Sequence, residues 1–358
     1  MSSVFVVGGT FDHTEGKPSK LAAVVAAQVR NRGHEVAFVN GGNVSELNDL
    51  YDEAGKREIV LWFPNVPNNY GKNITVFKVQ HPKVFLVTSK RNDGSKYSFA
   101  ELVNHALGLK ANLTVEYTKF GNRFQGRVFD PLGCVWAHTE DFVELTNKLF
   151  ERIEPLLELT RVRSHCLHKN TLMPKGPELK EFFQLVKDRA TTFHDLVHPA
   201  NGVERFLGNA SFRCERGFPS IRQGNVIFVS RRNVDKRYIG PDAFVQVELV
   251  GDGVGYYGEH KPSVDTPIQL RLYKYFKKVT RMLHSHVYAR EAPFTEHAIP
   301  CGAIEEYYEI VAAQRRHQLP MCNFALNLVG HGSIVLADDL EYMRSVEYYA
   351  RPIPEVLG

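Results

Sequence analysis

Three histidines carry the strongest chemical signal in the chain. His284 and His286 stand one residue apart in the string MLHSHVYA, and His331 lies between two glycines in LVGHGSIV. Residues i and i+2 of a strand share one face, so both imidazoles of the first pair can reach a single ion. Two histidines at that spacing also fit a strand carrying two ordinary surface or core imidazoles. Two more segments shift the balance. KPSVDTP places Asp265 beside a turn upstream of the pair, and His331 follows directly on an apolar strand. Three neutral imidazoles with one carboxylate suit Zn2+ and leave a position open for substrate.

The elements that must hold these residues are legible by period. The second half reads as a helix around Glu178–Phe193 and strands over Ala210–Cys214, Val226–Ser230 and Phe244–Leu249. A helix over Pro267–Phe276, a strand over Arg281–Ser285, a helix over Glu305–Arg316 and a strand over Phe324–Val329 follow. A closing helix is expected from Asp338 to Ala350, carrying Tyr348 and Tyr349.

In this order the second half resembles the class II aldolase/adducin-like superfamily, which includes fuculose-phosphate aldolases and ribulose-phosphate 4-epimerases. LGNASFRC (Leu207–Cys214) is similar to the family's Gly-Asn-x-Ser segment, KPSVDTPIQLRLYKYF to its Pro-Ser-Ser-acid segment and HSHVYA to its His-x-His segment. ALNLVGHGSIVLADDLEYM resembles the terminal His-Gly strand and helix. VIFVSRRNVDKRYIGPDAFVQVEL stands where the family has a Thr-Pro-Ser-Gly loop, here Ser230-Arg231-Arg232-Asn233. Any one of these strings is cheap, as Gly42-Asn43-Val44-Ser45 shows; five in order are specific.

The resemblance implies an α/β/α domain on a nine-stranded, mainly antiparallel sheet, assembled as a homotetramer with sites between subunits. It implies zinc, or another divalent ion, on His284, His286 and His331, with Asp265 as acid/base or fourth contact. It also implies an anionic, sugar-like substrate cleaved or epimerised through a metal-stabilised enediolate. Asn209, Arg232, Asn233 and Ser263 fall on the phosphate-binding positions, where the arginines can clamp an anion bidentately or face solvent. Val264 replaces a serine. Ile299–Cys301 resembles the epimerase branch, but that branch's preceding acid falls near Pro293, with Glu296 the nearest substitute. Tyr348 or Tyr349 would protonate the leaving group of a neighbouring subunit. Adducin-like scaffolding members of the family offer a non-catalytic alternative.

The first half has a different grammar. Strands over Val4–Gly9, Glu35–Asn40, Glu58–Phe63 and Lys83–Ser89 alternate with helices over Lys20–Arg32, Phe99–Leu109 and Glu140–Glu154, the last stopping before Pro155. Such alternation predicts a doubly wound, mostly parallel, Rossmann-like sheet. VFVVGGTFDHTEGK opens like a nucleotidyltransferase, yet His13 has no partner in an H-x-G-H pattern, and G-x-G-x-x-G is absent. Gly8 and Gly9 are then a strand-to-helix turn or a nucleotide or phosphate site at a helix start, the latter making the chain bifunctional. Polar residues around Thr160–Pro177 place the domains at 1–160 and 178–358 with a linker over 161–177.

Bulk composition narrows the class. A content of 43% hydrophobic and 23% charged residues over 358 positions suits two globular domains. The net charge of +4 fits small anions and does not support nucleic acid. Five scattered cysteines without a Cys-x-x-Cys pair point to a reducing cytoplasm, and no apolar run is long enough to span a membrane or open a secretory leader.

Overall fold

Strand-helix alternation in the first half builds a doubly wound sheet. The computed structural model describes residues 1–67, 74–81, 83–93, 96–120, 123–161, 164–170, 174, 177–197, 208–214, 226–251, 253–299, 301–351 and 355–356. Leu207, Pro300 and linker residues 162–163, 171–173 and 175–176 lie outside them. The chain divides into two units, Met1–Thr160 with Ile353–Gly358, and Arg161–Pro352.

The first unit runs β1 (Ser3–Asp12), α1 (Lys20–Asn31), β2 (Glu35–Asn43), α2 (Leu47–Gly55), β3 (Ile59–Trp62), α3 (Ile74–Gln80) and β4 (Phe85–Arg91). Then come α4 (Phe99–Gly108), β5 (Leu113–Phe120), β6 (Arg123–Phe129), β7 (Cys134–Thr139) and α5 (Phe142–Arg161). The sheet order is β7-β6-β5-β4-β3-β1-β2. Strands β2, β1, β3, β4 and β5 are parallel, whereas β6 and β7 pair antiparallel. Both faces are covered because β1 is apolar at every other position twice over. Val4 and Val6 pack with α1 and α5, and Phe5 and Val7 with α2 and α3. Helix α1 starts at Ser19, whose hydroxyl accepts from the Ala22 amide at 3.3 Å, and buries Leu21, Ala22, Val25, Ala26 and Val29.

Two expectations need correction here. Helix α5 does not stop before Pro155 but runs through it to Arg161. The buried positions Leu145, Leu149, Ile153 and Leu157 continue on either side of the proline. This apolar stripe outweighs the one missing backbone donor. Between α4 and α5, where the sequence pattern assigns no strand, lie β5, parallel to β4, and the antiparallel β6 and β7.

The second unit runs β8 (Ser164–His168), α6 (Pro177–Val197), β9 (Asn209–Cys214), β10 (Val226–Ser230), β11 (Phe244–Val250), β12 (Gly253–Tyr257), α7 (Thr266–Tyr275) and β13 (Arg281–Ser285). It continues with β14 (Tyr288–Ala289), α8 (Glu305–Arg316), β15 (Phe324–Leu328), β16 (Gly332–Ala337), α9 (Leu340–Ser345) and β17 (Tyr348–Tyr349). Strand β18 (Glu355–Val356) returns to the first sheet beside β7. The second sheet has order β15-β16-β13-β9-β10-β11-β12-β8, eight strands among the described residues where the resemblance implies nine. Every pair is antiparallel except β12 with β8.

Neighbours on β13 face opposite layers. Leu283 joins α6 and α9 with Phe182, Phe212, Phe228 and Met343; Met282 joins α7 and α8 with Leu272, Ile310 and Leu336. The expected helix over Asp338–Ala350 is shorter than its pattern. It ends at Ser345, and Tyr348 and Tyr349 form a strand against Ala289 and Tyr288.

Phe212 is 1% exposed and its ring lies 5.0–5.9 Å from those of Phe182, Phe183, Phe228 and Phe244. Truncation leaves a cavity that rigid neighbours cannot fill. Phe212→Ala is expected to cost the second unit about 3–5 kcal/mol, read as a lower urea midpoint at unchanged slope.

Candidate metal centre

One close backbone contact brings the three histidines together. His284 is the penultimate residue of β13, opposite Asn209 on β9 and Ile334 on β16. His286 follows two residues later, and His331 sits in the turn from β15 to β16. Gly332 has φ +152°, and a Cβ there would stand 1.9 Å from the Ser285 carbonyl oxygen and 2.7 Å from the His286 Cα. Only a residue without a side chain lets this turn lie on the end of β13. Gly208 does the same on the other flank, where a Cβ would meet the His284 carbonyl oxygen at 2.4 Å.

The ring centroids are 5.1 Å apart for His284 and His286, 4.6 Å for His284 and His331, and 4.9 Å for His286 and His331. One ligand nitrogen from each lies within 4.8 Å of the others, and all three residues are buried. His284 Nε2, His286 Nδ1 and His331 Nε2 are buried without a hydrogen-bond partner among the described residues. Orphans of this kind are costly, and three in one buried histidine cluster fit an ion of imidazole-ligand chemistry.

The outward nitrogens set the tautomers. His284 Nδ1 donates to the Ser333 carbonyl at 2.9 Å, which leaves Nε2 with its lone pair. His331 Nδ1 lies 2.5 Å from Glu306 Oε1, on the buried side of α8. Such a carboxylate orients a ligating imidazole and raises its basicity. Burial lowers His284 to about 4, with the neighbouring His331 adding to it, and pushes His286 well below its ordinary value. For His331 burial pulls the same way, but the Glu306 carboxylate leads the opposing interactions that more than offset it, and the net direction is upward.

Asp265 sits at the start of α7, where its carboxylate does not cap its own helix. It is 6% exposed and accepts from Asn209 Nδ2 at 2.6 Å, Ser263 Oγ at 3.3 Å and Cys301 Sγ at 3.7 Å. Asn209 in turn accepts from Gln269 Nε2. Asn209 and Ser263, expected on a substrate phosphate, are thus turned toward the carboxylate. Arg232 and Asn233 lie apart on an exposed loop after β10, Asn233 at φ +57°, with Arg232 within electrostatic reach of Asp265.

Tyr348 is not brought to the histidines. Its ring stands edge-on to Phe193 at 4.7 Å in the apolar layer under α6, its hydroxyl is buried, and that burial raises its pKa. Tyr349 lies 5.8 Å, centroid to centroid, from Tyr288. Glu296 pairs with Arg316 at the surface. In the first unit, a Cβ on Gly8 would meet that of Ala22 at 2.1 Å, and one on Gly9 (φ +81°) the Gly41 amide at 2.5 Å. Close packing of α1 and of the β2 backbone accounts for both glycines.

Sequence reasoning passed over Glu306, Gln269 and two cations. Lys236, 7% exposed and held near pKa 8 by burial, is electrostatically coupled to Asp265, His284 and His286. Arg351 donates to the Gly330 carbonyl at 3.0 Å and is coupled to His286. A signal for Glu306 existed: it shares helical spacing with buried Ile310 and Ala313, an odd place for a carboxylate.

Metal binding requires neutral imidazoles. His284 and His286 meet that condition at neutral pH, whereas His331 must surrender a proton. Zinc binding near pH 7 is therefore expected to release about one proton per ion. Affinity should rise with pH, and Glu306→Gln should abolish the release by removing the charge that raises His331. Calorimetry in buffers of different ionisation enthalpy reads this directly.

Residues 188–344 match the family model described as Class II Aldolase and Adducin N-terminal domain. A methylthioribulose-1-phosphate dehydratase of Picosynechococcus sp. is 37% identical over 66 residues, which are 18% of this chain and 31% of that protein. The chain thus spans less than a third of the curated relative it matches. Among solved structures, an L-fuculose-1-phosphate aldolase from Thermus thermophilus is 18% identical, covering 44% of this chain and 78% of that one with a TM-score of 0.30. A DNA/pantothenate metabolism flavoprotein from Streptococcus pneumoniae is 12% identical, covering 43% and 97%, with a TM-score of 0.36. The family match, over the stretch that holds all three histidines and Asp265, makes residues 188–344 a domain of the class II aldolase and adducin family.

Proposed function

We propose that the second unit is a zinc-dependent lyase acting on an anionic, sugar-like substrate. The observation that carries this reading is the gathering of three buried imidazoles, one ligand nitrogen of each within 4.8 Å of the others, with a carboxylate that three donors hold in place. A divalent ion on those nitrogens would polarise neighbouring carbonyl and hydroxyl oxygens and favour the enediolate that cleavage or dehydration requires. His284, His286 and His331 hold the ion, and Glu306 fixes the orientation of His331. Asp265 moves a proton at the substrate carbon or hydroxyl, its carboxylate aimed by Asn209 and Ser263. Arg232 and Asn233 hold the anionic end.

Dehydration stands beside aldol cleavage, because the matched relative is named a dehydratase and both reactions need the same carbanion-stabilising arrangement. The scaffold alternative is disfavoured by the intact histidine set. We also place Tyr348 outside the chemistry of its own subunit and assign the working form to a homo-oligomer in the cytoplasm.

Metal analysis of the purified full-length chain, with a screen of phosphorylated ketoses, tests the proposal. One zinc per chain and turnover of at least one ketose phosphate are expected. His284→Ala should lose both. Asp265→Asn should keep the metal and lose about 100-fold or more in turnover. A chain that neither contains nor takes up a divalent ion is not this enzyme, and an Asp265→Asn variant with full turnover removes Asp265 from the mechanism.

A further inference from the structure

Between the loop after β10 and the segment before α7 lies a cavity of about 470 Å³, lined by Arg231, Arg232, Asn233, Val234, His260 and Lys261. Four of these six side chains carry or can acquire positive charge, and none is acidic. Two segments are stitched together to form it. Arg231 bridges to Pro262, the Arg232 amide donates to the Lys261 carbonyl at 2.9 Å, and the Ser263 amide donates to the Ser230 carbonyl at 3.0 Å. Behind the wall, buried Lys236 donates to the Val234 carbonyl at 3.2 Å and adds a charge from below. Arg231 Nε is buried and has no hydrogen-bond partner among the described residues.

Like charges held side by side repel one another, and a bound anion relieves that repulsion beyond what Asp265, within electrostatic reach of Arg232, already offsets. Each guanidinium can grip two oxygens of one anionic group, and four cationic side chains along one lining carry more charge than a single phosphate neutralises. The cavity also falls in the size range of whole small-molecule sites, well beyond one phosphate. We propose that it is a polyanion site, taking a ligand with two linked anionic groups of the diphosphate or bisphosphate class. Arg232 and Asn233 hold the group on the Asp265 side; Arg231, His260 and Lys261 hold the second. This names the substrate class of the enzyme proposed above and rests on that reading for its chemistry, while the binding itself needs no metal.

Calorimetry of the metal-free full-length chain with inorganic pyrophosphate and with inorganic phosphate tests the site. Pyrophosphate is expected to bind at least about tenfold more tightly, with affinity falling as salt rises. Arg231→Ala and Lys261→Ala should each weaken pyrophosphate about tenfold and leave phosphate nearly unchanged. The exposed Lys56→Ala, in the other unit, should change neither. Equal binding of the two anions, or pyrophosphate binding indifferent to both cavity variants, overturns the proposal. His284→Ala separates the two readings: pyrophosphate binding should persist in it, and persistence in a chain that takes up no metal at all would sink the zinc enzyme alone.

Discussion

The second unit depends on how closely the turn before β16 lies on the end of β13. A side-chain carbon at position 332 would come within 1.9 Å of the Ser285 carbonyl oxygen, so the contact exists only because that residue is glycine. From it follow the register of β16 on β13, the edge-on stacking of His331 against His284, and the 4.8 Å cluster of ligand nitrogens. Gly208 repeats the device on the opposite flank and brings Asn209 across from His284. The site is thus formed by backbones approaching without side chains between them, with His284 on a strand held by ladder hydrogen bonds and His286 and His331 in the segments that follow β13 and β15.

Around that contact the domain buries an unusual density of polar groups. Asn209, Asp265, Gln269, His284, Glu306 and His331 are all no more than 6% exposed. Most satisfy one another: Asn209 with Asp265 and Gln269, His331 with Glu306, His284 with a backbone carbonyl. An unpaired buried donor or acceptor costs about 1–3 kcal/mol. The three unpartnered imidazole nitrogens are therefore a cost, offset by the two aromatic and aliphatic layers that cover the sheet. The same division of labour separates the apolar sheet from the cationic cavity, where charge is gathered at the surface and desolvation costs little.

Legibility followed the strength of local pattern. The helix Glu305–Arg316 and the strand Arg281–Ser285 were readable to the residue, since periodic apolar positions and flanking polar ones agree there. The closing helix was overread: Tyr348 continues a helical pattern, but its backbone groups find a partner in Ala289, a pairing no local rule contains. Pro155 was overread in the other direction, as a stop signal that the packing of Ile153 and Leu157 overrides. Of the site, the three histidines and Asp265 stood out by residue type and spacing. Glu306 did not, because Glu305 beside it offers the same chemistry, and the spacing with Ile310 and Ala313 that marks Glu306 as the inward one is carried by a single carboxylate in an otherwise apolar stripe.

By itself the sequence determined which residues were able to bind a metal and in what order the strands and helices carrying them came, because side-chain chemistry and hydrophobic period are local properties. Tertiary structure alone decided that the amide of Asn209 and the hydroxyl of Ser263 aim at Asp265, and that Tyr348 is half-buried against Phe193 rather than beside the histidines. It likewise gathered Arg231, His260 and Lys261 into one cavity lining. These are relations between residues distant in the chain, set by sheet register and by which faces exclude water, and no spacing along a single strand encodes them.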